Sequence, residues 1–485
     1  MGRVQRSADC CTTRAGNARK NPSAFCLSAD SICAAISRFE ILLVHCNVAI
    51  PLMTATESTP NSSIGKVVLA SFIGTAIEWY DFFLYGTASA LVFGKLFFPK
   101  YDDNAGLLLS FSVYAVGFFA RPLGGVVFGH FGDRFGRKST LVVSLVMMGL
   151  ATFLMGLLPT YQQVGVWAPI LLTLLRFVQG FGVGGEWGGA VLLAVEHGEK
   201  GRRGFYSSWV QVGVPVGQLL AAGVFAAVAR LPDESLLGWG WRLPFLAGIA
   251  LLLIGLFIRV RIMESPLFTK ALEAEPPKRL PIVEVLQKHP RNVLLAMGAR
   301  MAENMSFYII TVIALSYATN PTTLNLSKDV LLQGVLLASA CQVISLPVYG
   351  YLSDRFGRRP VYLFGAIGMG CFAFPFFWLV DTANVYLIWL AMAIGLGLFH
   401  AAMYGPQAAF FSELFGTKVR YSGASLGYQL ASPLSGGLAP LIATALLQWS
   451  NQRPWPVSLY VVVMVAVTVV SVAAATETAR SDLQK

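Results

Sequence analysis

Apolar residues run along this chain in long, nearly unbroken stretches, divided by short polar breaks that hold most of its charge. A helix needs roughly 20 mostly apolar residues to cross the hydrocarbon core of a bilayer. Stretches of that kind fall near residues 66–94, 106–130, 139–159, 166–194, 206–229, 241–260, 292–318, 329–351, 360–380, 385–411, 422–447 and 455–475. Inside lipid every backbone group has to be bonded within the spanning element, so these stretches are expected to be helices. The expected fold class is an all-α polytopic membrane protein with twelve transmembrane helices. Composition agrees: of 485 residues 55% are hydrophobic and 13% charged, which favours lipid over a water-exposed surface.

The net charge of +11 raises the question of a nucleic-acid partner, and the placement of the basic residues answers it. They fall in alternate loops: Arg134, Arg137 and Lys138; Lys200, Arg202 and Arg203; Arg259 to Arg291; Arg355, Arg358 and Arg359; Lys418 and Arg420. By the positive-inside rule these loops are cytoplasmic, which puts both termini inside a plasma or inner membrane and requires an even number of spans. No nucleic-acid partner is needed to explain the charge. The first residues differ in character. Residues 1–52 hold Cys10, Cys11, Cys26, Cys33 and Cys46 without metal-site spacing, on a side that does not favour disulfides. They are expected to be a disordered or miscalled extension, with Met53 as the start.

Residues 132–138 read GDRFGRK and residues 353–359 read SDRFGRR. Aligning them puts Asp133 on Asp354, Arg134 on Arg355, Gly136 on Gly357 and Arg137 on Arg358. Glu196 precedes Arg203 with the same separation by which Glu413 precedes Arg420. Each half therefore repeats one plan. The expected division is a six-helix bundle over 53–260, a Pro-rich cytoplasmic linker over 261–291 with a short amphipathic helix around PIVEVLQKH, a second bundle over 292–476 and a tail over 477–485. In the charged turns Gly129 and Gly136 permit a sharp, close turn, the aspartates can bond a helix N-terminus, and the arginines can reach acidic partners. With Glu196 and Glu413 as the available acids, these residues are expected to form a latch that stabilises an outward-facing state.

GHFGDRFGRK and GYLSDRFGRR resemble the signature loop of the major facilitator superfamily, G-x-x-x-D-R-x-G-R-[KR]. More narrowly, IEWYDFFLYG, FFARPLGGVVFGHFGDRFGRK, RFVQGFGVGGEWGGAVLLAVE, GWGWRLPFL and ELFGTKVRYSGASLGYQ resemble the metabolite:proton symporter family, in particular its shikimate-transporter-like members. The resemblance covers about residues 60–475. It implies two pseudo-symmetric six-helix bundles with a substrate site between them near the midplane. It also implies proton-coupled uptake of a small organic acid or related metabolite by a monomer, driven by the proton gradient without a cofactor and without enzymatic chemistry. A proton-coupled efflux antiporter and a non-transporting nutrient sensor on the same fold are the rival readings.

Charges inside a span are costly, so they are the first functional candidates. Glu78 and Asp81 share one face of the first span, where burial favours the neutral carboxyl and a nearby cation the charged one. Arg176 in RFVQGFGVG is the expected cation, and the resemblance to proton-coupled sugar relatives implies an Asp81–Arg176 pair; a static buried ion pair is the alternative. Arg121 is a candidate to hold a substrate carboxylate in its planar fork, or else a helix-end arginine that reaches water. Arg300, three residues from Glu303 on the seventh span, is the second such candidate. Gln179, Gln211 and Asn304, with Tyr308, His400, Tyr404, Gln407 and Gln429, can supply neutral hydrogen bonds. Glu186 is expected near the cytoplasmic side as a partner for Arg121. Gly180, Gly182 and Gly185 spell a dinucleotide-type G-x-G-x-x-G but follow no predicted strand, so helix packing explains them better. No metal-spaced His or Cys set is present.

Overall fold

The computed structural model describes residues 64–480 apart from 102, 136, 200, 229, 261–280 and 417–418. The expectations for residues 1–52 and for most of the linker therefore lie outside the described residues. Twelve long helical segments follow one another. In the first half they are α1 (Ile64–Ala88, continuing through a π-turn at Ser89–Phe93), α2 (Asp103–Phe135), α3 (Arg137–Leu157), α4 (Trp167–His197), α5 (Arg203–Val228) and α6 (Arg242–Val260). A short helix over Pro281–Lys288 lies where the sequence suggests one. The second half holds α7 (Pro290–Tyr308, Ile309–Ile313 and Ala314–Thr319), α8 (Lys328–Phe356), α9 (Arg358–Asp381), α10 (Val385–Met392, Ala393–His400 and Ala401–Glu413), α11 (Arg420–Ser432, Pro433–Gly437 and Ala439–Trp449) and α12 (Trp455–Ala474).

Eleven of these segments are long and apolar enough to cross a membrane. The remaining one, α1, is 25 residues long and carries Glu78 and Asp81 in its interior. Large apolar side chains such as Ile344, Leu253 and Val470 are left exposed on the outer faces, as lipid contact requires. Exposed Trp167, Trp239, Trp378, Tyr386, Trp449 and Trp455 gather near the helix ends opposite the charged turns, where amphipathic rings suit a membrane interface. The middle segments of α7, α10 and α11 are π-helical, and such turns rotate the residues that follow them.

Each half packs in the same order. α1 lies on α5, α2 on α4 and α3 on α6; α7 lies on α11, α8 on α10 and α9 on α12. The halves meet along α2–α11 and α5–α8. Glycine makes the tightest contacts possible: a Cβ at Gly180 of α4 would overlap the Gly117 carbonyl of α2, and one at Gly184 the Arg121 carbonyl. The G-x-G-x-x-G string is thus a helix-packing surface. Without an apolar driving force between helices in lipid, close backbone approach of this kind supplies the packing energy.

At the face that carries the charged turns, polar contacts cross between the halves. Asp354 of α8 accepts the backbone N–H groups of Gly204 and Phe205, both at 2.8 Å, and so caps the N-terminus of α5. Arg358 donates to Asp354 at 2.7 Å and grips Glu413 through Nε and Nη2 at 3.2 and 3.1 Å. Arg203 stands 4.0 Å from the same Glu413, and Arg420 donates to Glu196 at 3.2 Å. Glu196 and Glu413, the acids expected at this face, are both ion-paired there. Gly357, at φ 105°, makes the turn between α8 and α9 in a conformation that suits only glycine. Gly129 lies against Ser422 of α11. Arg355 departs from expectation: one position past Asp354, it points about 100° away around the helix, is exposed and lies over the Phe356 ring. Asp133, Arg134, Gly136 and Arg137, the matching turn of the first half, lie outside the residues whose side chains are described.

The tail adds to this junction. Glu477 accepts N–H groups from Arg358, Arg359, Thr478 and Ala479, while the Thr478 hydroxyl donates to Glu413 at 2.7 Å. Burial alone would raise the Glu477 carboxyl, but the Ala479, Arg358, Arg359 and Thr478 donors outweigh it and hold the group below its ordinary value of 4.5.

A charge-assisted contact of the Asp354 type contributes about 1.5–3 kcal/mol. Asp354→Asn should therefore favour states open at the charged-turn face. The check is faster maleimide labelling of a cysteine placed at the buried Ser208, with the native cysteines replaced; unchanged labelling would show that Asp354 does not hold the halves. Glu477, depressed on folding, stabilises fully above pH 4.5 and loses that contribution as pH falls through its folded value. The stability gap between the wild type and Glu477→Gln should accordingly be present at neutral pH and close on acidification, read from melting temperatures across pH. Because the side chain is largely exposed the gap should be small.

Candidate substrate and proton site

Opposite the latch, a cavity with about 120 Å³ of water-accessible space opens between the halves. Phe83, Thr87 and Tyr114 from the first half and Tyr308, Thr311 and Lys328 from the second are among its lining. Its floor is aromatic: Phe118 packs edge-on against Tyr114 and Tyr308, and Phe83 meets Phe307 across the halves.

Beneath that floor lie three buried arginines. Arg121 of α2 is 1% exposed and sits in a box of Trp79, Phe82 and Phe118, at 5.5, 4.3 and 4.7 Å from the ring centres. The rings offer cation–π attraction but no acceptor, and its three guanidinium nitrogens have no hydrogen-bond partner among the described residues. Leaving a buried cation without acceptors costs several kcal/mol. Pro122, next to Arg121, lies inside α2 and supplies no backbone N–H to the helix.

Arg176 of α4 lies over Phe82, Tyr85 and Tyr114 and donates to Gln179 one turn on. Gln179 in turn donates to Thr152 of α3 at 2.8 Å, and Thr152 lies beside Asp81 of α1. The direct Asp81–Arg176 pair implied by family resemblance is therefore not made in this state: Gln179 and Thr152 stand between the two. Asp81 Oδ1 is left without a hydrogen-bond partner among the described residues. Glu78, one turn away on the same face, is buried within electrostatic reach of Arg121 and Arg259.

The second half contributes a separate network. Glu303 of α7 is 3.7 Å from Arg300 and accepts from Gln407 at 3.1 Å, with His400 Nε2 also at 3.1 Å. His400 Nδ1 meets Gln342 at 2.8 Å, and Gln407 also donates to Tyr362. Arg300 lies over the Tyr428 ring, which stacks on Trp187 of the first half at 3.7 Å. Asn304 donates to Ser435 at 2.9 Å, and a Cβ on neighbouring Gly436 would strike both Asn304 and Phe118. Gln211 accepts from Trp187 and donates to the Tyr404 carbonyl across the halves. Asn304 thus borders the aromatic floor, whereas Gln211 already has partners on both sides.

Glu186 does not meet Arg121. It pairs with Arg259, whose Nη1 lies 2.9 Å from Oε2, and with Ser144 at 3.3 Å. Arg259 is itself only 3% exposed, so it is not a loop residue as its place after an apolar run suggests. Its guanidinium folds back across Gly74 of α1, where a Cβ would overlap it. Thr152 and Ser144 carried no charge or motif in the sequence, and Trp187 stood in a quoted motif without an assigned role; three-dimensional packing identifies all three as members of these networks.

Residues 66–276 match the family described as Sugar (and other) transporter, and residues 293–482 match the Major Facilitator Superfamily. The chain is 43% identical over 398 residues to the shikimate transporter of Escherichia coli K12, covering 81% of this chain and 90% of that one. It is 42% identical over 431 residues to the inner membrane metabolite transport protein YhjE of the same organism, covering 88% and 97%. Its fold matches that of the proton:xylose symporter XylE bound to 6-bromo-6-deoxy-D-glucose, with a TM-score of 0.70 at 18% identity over 87% of this chain and 98% of that one. With its two repeated six-helix bundles, the chain is a multi-pass membrane transporter, not an enzyme, and belongs to the major facilitator superfamily, in the group of shikimate-transporter-like and metabolite transport proteins.

Proposed function

We propose that this chain is a proton-coupled symporter that takes up a small hydroxylated carboxylate by alternating access. The observation that carries the reading is Arg121: a buried guanidinium boxed by three aromatic rings, with every donor unused, beneath a cavity between the halves. A carboxylate can satisfy those donors in a bidentate geometry, and the Tyr114, Tyr308 and Thr311 hydroxyls lining the cavity suit a substrate that also carries hydroxyl groups. The likeness to a shikimate transporter favours the same substrate class. The face with the charged turns is then cytoplasmic, both termini lie inside a cell membrane, and one polypeptide completes the site.

The coupling follows from the carboxylates. Substrate binding engages Arg121 and weakens its hold on Glu78, while Asp81, held off from Arg176 by Gln179 and Thr152, is free to bind a proton from the outer cavity. Neutral Asp81 and a substrate-bound Arg121 remove two buried charges, and the bundles can then rock past the aromatic floor and open the latch.

The test is uptake into proteoliposomes of a labelled panel that includes shikimate, under an imposed pH gradient and with an uncoupler as control. Uphill accumulation should appear for a carboxylate and vanish with the uncoupler. Asp81→Asn should abolish accumulation but keep exchange, and Arg121→Gln should weaken half-saturation by about 10- to 100-fold, the loss of charge-assisted bonds worth about 1.5–3 kcal/mol. Accumulation driven only by the reversed gradient would instead make the protein an efflux antiporter.

A further inference from the structure

One polar cluster extends beyond the cycle just described. On α1, Gly74, Glu78 and Asp81 share one helix face, with Gly74 nearest the latch. Arg259 of α6 crosses Gly74 and is held by Glu186 of α4 and, at 2.7 Å, by the Leu141 carbonyl of α3; Ser144 of α3 bonds the same carboxylate. Glu78 from α1 and Tyr421 from α11 are the other titratable groups that act on Arg259, and Glu78 also feels Arg121 of α2. Charged groups therefore recur along the inside of the first bundle, with Asp81 and Glu78 on α1 and, within electrostatic reach of Glu78, the Arg259–Glu186 pair.

The end of that column is covered by the other half of the protein. The Tyr421 hydroxyl donates to the carbonyl of Gly185, the residue before Glu186, and the Tyr421 ring packs where a side chain at Gly189 would lie. Tyr421 follows Arg420, which holds Glu196 in the latch. Tyr421 thus lies over the end of the column on an element that belongs to the other half.

Resting on the symport reading, we infer that Glu186 is the inner proton-release group of the transport cycle, with Arg259 as its counter-ion and Tyr421 as its lid. With Arg121 committed to the substrate, Glu78 and Glu186 share a single guanidinium, Arg259, and one proton balances the remaining charge. The proton taken up by Asp81 passes to the Glu78 carboxylate as the Asp81 O–H bond breaks; the Glu78 O–H bond then breaks, re-forms on Glu186 and breaks again as the proton goes to water on the open side. Arg259 follows the negative charge, paired with Glu186 before and after the transfer and with Glu78 between. In the closed state Tyr421 keeps that water away, so protons do not leak without substrate.

The full chain in proteoliposomes tests this with the carboxylate that the wild type accumulates. Glu186→Gln should lower gradient-driven accumulation about a hundredfold, at the low end of what a positioned proton-transfer group contributes. Counterflow exchange should persist, and Glu186→Asp should restore accumulation. Tyr421→Ala should speed the substrate-free decay of a pH gradient, followed with an entrapped pH dye, while Tyr421→Phe, which keeps the ring, should hold the gradient. Accumulation retained by Glu186→Gln, or accumulation and exchange lost together with a drop in melting temperature, would reduce the pair to a structural clamp and overturn the inference. A wild-type rate of leak in Tyr421→Ala would overturn the lid. Failure of the wild type itself to accumulate anything would instead refute the symport reading.

Discussion

A charge at the depth of a bilayer has to be matched inside the protein, and the placement of ionic groups in both bundles follows from that constraint. In the first bundle Arg259 meets Glu186, and Arg176 is shielded by three rings and a glutamine. In the second, Arg300, Glu303, His400 and Gln407 complete one another. Against that background Arg121 stands out, because aromatic faces attract its charge yet leave its donors unused. The second bundle pairs its buried charges with one another, whereas in the first Arg121 is left with aromatic faces alone.

The same constraint explains how the two faces are coupled. The latch is a chain of charge-assisted contacts in which Asp354, Arg358 and Glu413 share partners, with Arg203 and Arg420 reaching across the halves. Such a chain is either made or broken, which gives the packed bundles two arrangements in place of a continuum. The cavity opens on the side away from it, so closing one face and opening the other are parts of one geometry.

Much of this was legible in the sequence. Twelve apolar runs gave the spans because lipid allows few alternatives to a helix, and the repeated D-R-F-G-R turn and the matched Glu196/Arg203 and Glu413/Arg420 pairs exposed the two halves. Buried charges marked Glu78, Asp81, Arg121, Arg176, Arg300 and Glu303 as candidates, and all six are buried. What could not be read was pairing. Arg259 follows seventeen residues of α6 and looks like the first residue of a loop, yet it turns inward because Gly74 leaves room. Arg355 repeats a motif position but faces away from the latch, and Gln179 and Thr152 interpose between Asp81 and Arg176. Each depends on which helix lies opposite, information that spacing along one chain does not hold.

The central claim is that proton and carboxylate move together in one direction. The most direct measurement is made without any imposed gradient: the transported carboxylate is added outside proteoliposomes that contain a pH dye and the wild-type protein in known orientation. The account predicts acidification of the interior that requires the substrate and is absent in Asp81→Asn. Alkalinisation, or substrate entry with no change in internal pH, would contradict it.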